Sequence, residues 1–223
     1  MVEVSATRVK QLRSRTGAGI MDCKNALVEA GGDEDKAVEI IQKKGLAKAA
    51  KKAGAIAAEG VVHAYVHPGS RIGVLVEVNC QTDFVARNDE FRAFADDIAL
   101  QIASMAPLYV SPEDLPPEHK SKQAEIFRAQ LIEQANRTGK KHPDHVVERI
   151  VEGRLEKWLG ESCLLEQPFI RDNDKTIGHV ADLLTAKLGE RISVRRFVRF
   201  ELGEGIEKKK NDLAKEVAEA LAG

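Results

Sequence analysis

Over residues 61–67 and again over 71–80, apolar and polar residues alternate with period two on either side of Pro68-Gly69-Ser70. Alternation of this kind puts successive side chains on opposite faces of a strand, and two such runs about a proline-glycine turn predict a β-hairpin. Ile72, Val74, Val76 and Val78 form one apolar face that needs a cover. The sequence supplies it soon after: Asn88 can cap a helix whose stripe holds Phe91, Phe94, Ala95, Ile98 and Ile102. The core expected here is α+β, an antiparallel sheet with helices packed on it.

Helical periodicity fills most of the remaining chain. Ser5 can cap a helix with Val9 and Leu12 inward, ended by Gly17 and Gly19. Cys23, Ala26, Leu27 and Ala30 repeat at helical spacing as far as Gly31-Gly32. Asp33 can cap a third helix with Ala37, Ile40 and Ile41 inward, expected to stop at Gly45. Ile20 and Met21 exceed what these three inward stripes need. Residues 46–59 read as a helical linker, so an N-terminal three-helix unit with its linker is expected over 1–56. Prolines 107, 112, 116 and 117 mark a break, followed by helices at about 118–137 and 144–159 that suit an antiparallel hairpin. Residues 168–170 predict a short edge strand, and Thr176 a cap for a helix with Val180, Leu183, Leu184 and Leu188 inward. Residues 192–202 alternate again, with Arg195, Phe197 and Arg199 assigned to one face. An α+β core is thus expected over 57–202, and a C-terminal helical module over 203–223 with Leu213, Val217 and Leu221 as its stripe.

Composition narrows the chemistry. The 34 basic and 35 acidic side chains leave a formal charge of -1, which removes the usual first argument for a nucleic-acid ligand. Ten aromatic residues are too few for a multi-base stacking platform. No apolar run approaches the roughly 18 residues of a membrane span, and residues 1–5 carry no secretory pattern. Cys23, Cys80 and Cys163 include no CxxC pair, so packed, reduced thiols are expected. Cys163 is the one candidate for an exposed thiol, because Gly160-Glu161-Ser162 reads as a surface turn. There is no phosphate-binding glycine loop and no nucleophile elbow. His142 and His145 flank a Pro-Asp pair that spoils helical chelation, while His63 and His67 would stand about 13 Å apart on a strand. Neither a metal, a cofactor nor an enzymatic reaction is expected. Lys43, Lys44, Lys48, Lys51 and Lys52 form the best nucleic-acid candidate, against which no aromatic lies among them. Phe84 and Val85, within Thr82-Asp83-Phe84-Val85, fall outside both the strand pattern and the Phe91 helix stripe. They either fold back into the core or are presented to a partner.

Three stretches carry a resemblance: TGAGIMDCK at 16–24, VNCQTDFVA at 78–86 and FVRFELGEGIE at 197–207. In these the chain resembles the bacterial and plastid elongation factor Ts family, the nucleotide exchange factors of the GTPase elongation factor Tu. The resemblance implies a ubiquitin-associated-like three-helix module, an antiparallel core with helices on one side, and a C-terminal module. It implies that Thr82, Asp83, Phe84 and Val85 form a wedge that dislocates Mg²⁺ in the GTPase, with no cofactor on this chain. Leu12, Arg13, Ile20, Met21 and Lys24 are the partner-binding positions it implies, together with the last helix. Long members have two related core halves where this chain has one, and short members compensate as homodimers. The implied setting is the cytoplasm, or a plastid stroma, with no membrane and no required nucleic acid. The competing reading is an RNA-binding accessory protein using the lysine face with Arg195 and Arg199, whose binding would fall steeply with salt.

Overall fold

The computed structural model describes residues 4–139 and 142–206. Three helices open it: α1 (Ala6–Thr16), α2 (Ile20–Glu29) and α3 (Glu34–Lys52). The Ser5 side chain accepts from the Arg8 amide and Asp33 from the amides of Asp35 and Lys36, satisfying first-turn donors that have no partner within the helix. Val9, Leu12, Cys23, Ala26, Leu27 and Ala37 meet in a small core of their own.

The main sheet is antiparallel, in the order β1 (Glu59–Val66), β2 (Ile72–Cys80), β5 (Ser193–Glu201). Val74, Val76 and Val78 are buried on its inner face beneath α5 (Asp89–Met105), which is capped by Asn88 and brings Phe91, Ile98 and Ile102 down onto them. Beside α5 lies α8 (Ile177–Leu188), capped by Thr176, with Ile177 and Ala181 inward. The mixture of helices with an antiparallel sheet is the α+β architecture the alternation predicts. Among the described residues nothing covers the outer face. Val62, Val66, Leu75, Val198 and Phe200 stand 48–69% exposed on it.

Strand β5 departs from simple alternation. Arg196 pairs with Glu77 but Val194 with Val78, so Arg195 is an extra residue in a bulge. Phe197 and Arg199 do lie opposite Val76 and Val74, whereas Arg195 is turned beside Arg196 toward the Glu77 carboxylate, at 2.8 and 2.7 Å. These two guanidinium groups hold the Glu77 carboxyl down at about 2.

The helical hairpin comprises α6 (Pro117–Thr138) and α7 (Asp144–Ser162), closed by Ala124, Leu131 and Val151 and by a bidentate Arg128–Glu148 pair. Because α7 runs on to Ser162, Gly160, Glu161 and Ser162 are its last turn and not a surface turn. Cys163 is completely buried, and so are Cys23 and Cys80. The Leu164 and Leu165 amides bond to the carbonyls of Tyr109 and Val110, fastening the foot of the hairpin to the core, and burial pushes the Cys163 thiol pKa up. The short strand at Pro168–Phe169 (β3) pairs with a second one, Asp172–Thr176 (β4).

The third helix does not end at Gly45. It continues to Lys52, so residues 46–52 belong to it and are not a separate helical linker. At Gly45 α3 crosses α8, and a Cβ there would lie 2.9 Å from the Cβ of Ala186. This glycine is a point of close approach between two helices. Lys52 donates to the Gly189 carbonyl at the C-terminal end of α8, where cations suit the unpaired carbonyls. The predicted C-terminal helix, with Leu213, Val217 and Leu221, lies outside the described residues.

Candidate functional site

The corner between β2 and α5 is built from its backbone outward. Pairing of β2 with β1 ends at Cys80, opposite Glu59. Thr82 then adopts an extended conformation and caps a four-residue helix, α4 (Asp83–Ala86), over residues that neither the strand nor the helix pattern claimed; the Val85 amide donates to Thr82 Oγ1 at 3.5 Å. A helix this short cannot support itself, and it is anchored from below. Ala86 is buried, Val85 is half-buried against the main core, and Cys80 Sγ donates to the Thr82 carbonyl at 3.1 Å.

The direction of each side chain follows from one turn of helix. With Val85 and Ala86 turned inward, Phe84 points out and is 81% exposed. Asp83 reaches Arg87 one turn on, at 2.8 Å, in an exposed pair of small energetic weight. A phenyl ring held in solvent on an anchored corner, next to a carboxylate, is suited to filling an apolar groove in another molecule.

The corner is also held from a distant part of the chain, which sequence patterns did not indicate. Glu190, in the turn after α8, accepts from the Gln81 amide at 3.1 Å, the Thr82 amide at 2.9 Å and the Thr82 hydroxyl at 2.7 Å. In return Gln81 Oε1 accepts from the Arg191 amide at 3.1 Å. The only sequence signal was Gly189, which marks a turn there but names no partner for it.

A second apolar patch lies on the N-terminal unit. Ile20 and Met21, at the start of α2, are 56% and 63% exposed, and Arg13 and Lys24 are exposed as well. Leu12 differs. It is 1% exposed, within the three-helix core, and offers no surface to a partner.

The lysine face is largely engaged within the chain. Lys44 pairs with Glu29 and Lys48 with Asp22, and Lys52 is bound to the Gly189 carbonyl; Lys43 and Lys51 are exposed. Arg199, its side chain 14% exposed, donates to the Ala103 carbonyl and Glu201. No cluster of three or more His, Cys, Asp or Glu able to hold a metal occurs among the described residues. No helix among them is long and apolar enough to cross a membrane.

Comparison with known proteins adds one consistent finding. The family model described as Elongation factor TS matches residues 24–204. The chain is 61% identical over 221 residues to a protein of Carboxydothermus hydrogenoformans named elongation factor Ts, covering 98% of each chain. It is 57% identical over 218 residues to the one so named in Desulforamulus reducens, again covering 98% of each. With that of Acetivibrio thermocellus it shares 55% over 220 residues, 99% of this chain and 100% of the relative.

Proposed function

The chain belongs to the elongation factor Ts family, and on that premise we propose that it is a guanine nucleotide exchange factor for elongation factor Tu in polypeptide elongation. In this role it makes and breaks no covalent bond; its work is a difference in binding. A GTPase holds GDP mainly through its phosphate loop and Mg²⁺. A partner that binds better to the metal-free arrangement weakens the nucleotide by the factor that nucleotide weakens the partner, since coupling between two sites is reciprocal. Phe84 supplies the apolar body that enters the GTPase, and Thr82, Asp83 and Val85 shape and orient the corner that carries it. Displacement of Mg²⁺ there releases GDP, and GTP rebinding ejects the factor. The N-terminal patch of Ile20, Met21, Arg13 and Lys24 supplies affinity, with Leu12 acting from beneath as core. The work is done where elongation factor Tu works, in the cytoplasm.

The exposure of Phe84 on a corner anchored on both sides carries this reading. Its direct test is whether catalytic amounts of the chain speed loss of a fluorescent GDP analogue from elongation factor Tu. Unchanged GDP release would overturn it. No observation favours the RNA-binding reading, because three of its five lysines and Arg199 already have partners in the chain.

We further propose that the chain works as a homodimer. The outer face of the sheet, with Val62, Val66, Leu75, Val198 and Phe200, would be covered by the same face of a second copy, as two antiparallel sheets pack in a sandwich. Sedimentation at micromolar concentration tests this. Val198→Lys should turn a dimeric mass into a monomeric one, and a monomeric mass for the unaltered chain would refute the proposal.

A further inference from the structure

We propose that Glu190 is the positioning residue of the Phe84 corner, an inference that rests on Phe84 being the exchange wedge. The argument begins where the sheet stops. Past Cys80 the amides of Gln81 and Thr82 have no strand opposite them, and both donate instead to Glu190 Oε2. Opposite them, the Arg191 amide donates to Gln81 Oε1. Two side chains, Glu190 and Gln81, thus continue with backbone amides the line that β2 and β5 leave off.

The third contact of Glu190 fixes a direction. An ionised carboxylate only accepts hydrogen bonds, so the Thr82 hydroxyl must donate to Glu190 Oε1 at 2.7 Å. Its lone pairs are then left for the Val85 amide, which is the capping bond that starts α4. Glu190 therefore sets both the path of the backbone into the helix and the polarity of its cap. Phe84 is the second residue of that helix, 81% exposed and outside the main core, so its attitude follows that of the corner.

The turn that carries Glu190 is itself tied to the N-terminal unit. The Gly189 carbonyl accepts from Lys52 at the end of α3, and Arg191 Nη1 donates to the Ala55 carbonyl at 2.7 Å. Glu190 thus stands between the unit bearing Ile20 and Met21 and the corner bearing Phe84.

The test compares GDP release from elongation factor Tu stimulated by the full chain carrying Glu190→Ala, Glu190→Gln, Phe84→Ala or Phe84→Ala with Glu190→Ala. Three charge-assisted bonds to one corner are lost in Glu190→Ala, and the maximal stimulated rate should fall about tenfold. Glu190→Gln keeps an oxygen for the two amides but turns an NH₂ toward the Thr82 hydroxyl, so a smaller loss of about threefold is expected. The Gln variant carries the test alone should the Ala variant not fold. In the Phe84→Ala background the Glu190→Ala change should cost nothing further, since the wedge it positions is gone. Far-UV circular dichroism melts on the same preparations hold the amount of folded protein in view. The inference is overturned if Phe84→Ala impairs exchange while both Glu190 variants match the parent. It is equally overturned if Glu190→Ala costs the same factor with and without Phe84, which is what a purely structural role would give. If Phe84→Ala leaves exchange intact, the wedge reading fails first and this inference falls with it.

Discussion

Replacing Phe84 with alanine removes a ring that the folded chain holds 81% exposed. The chain itself should therefore hardly change in stability. Surface substitutions usually stay within about 0.5 kcal/mol, and for a chain of this size that moves the thermal midpoint by about 1–2 °C. The partner complex should lose far more. Burying a phenylalanine side chain contributes about 1.5–3 kcal/mol, and the exposed four-fifths or so of that surface is available to the GTPase. This gives about 1.2–2.4 kcal/mol, or about a 7- to 50-fold fall in stimulated GDP release at about 1.4 kcal/mol per decade. Affinity for nucleotide-free elongation factor Tu should fall with it, because one contact stabilises the state from which both are measured. Stopped-flow release of a fluorescent GDP analogue and a circular dichroism melt, made on one preparation, give both numbers. A midpoint several degrees lower with unaltered release per folded molecule would mean that Phe84 packs in the core and would refute the reasoning. So would an alanine variant equal to the parent in both measurements.

Met21→Ala, at a site 63% exposed, should weaken partner binding by about 1–3 kcal/mol and leave the maximal rate at saturating factor unchanged; a rate still depressed at saturation would contradict it. Gly45→Val should lower the thermal midpoint by several degrees, because its Cβ would meet Ala186 at 2.9 Å and overpacking costs about 1–3 kcal/mol; helix propensity alone predicts the opposite sign. The folded-state pKa of Glu77, about 2, lies below its ordinary 4.5, so its contribution to stability is present above pH 4.5 and is lost as pH falls toward 2. Urea midpoints at pH 6 and pH 3 should therefore drop less for Glu77→Gln than for the parent, and equal drops would remove Glu77 as a cause.

The hairpin, α5 and α8 were legible because each announces itself locally: alternation about a Pro-Gly turn, a capping Asn88 or Thr176, a closing glycine. Strand β4 was not, since Asp172, Asn173, Asp174 and Lys175 carry no alternation and the strand exists only by pairing with β3. Gly45 was misread because a glycine in a helical run signals a stop and a close crossing equally well, and the deciding atom, Ala186 Cβ, belongs to another helix. The expectation of packed thiols holds for all three cysteines, and only the alternative of an exposed Cys163 fails, for a related reason: a Gly-Glu-Ser triplet suits a surface turn, but here it is the last turn of α7 packed at the foot of the hairpin. The apolar character of Phe84 was plain in the sequence while its direction was not, because that depends on Thr82 starting a helix rather than a loop. Glu190 was beyond reach, its partners being 108 and 109 residues away.

The unbroken α3 has a consequence for how a two-point contact is assembled. Were the N-terminal unit joined to the core by flexible chain, contact through Met21 would leave Phe84 searching, at an effective concentration set by linker length and at the millimolar level typical of short tethers. A helix that runs past Gly45 to Lys52 and is bound there to the Gly189 carbonyl removes that search. The second contact is then delivered in one orientation, and the ordering entropy has been spent in folding rather than at the encounter. On the proposed exchange role, the same stiffness would make disengagement concerted: a chain of fixed span could not follow two receptive patches that shift relative to one another as the GTPase takes up nucleotide.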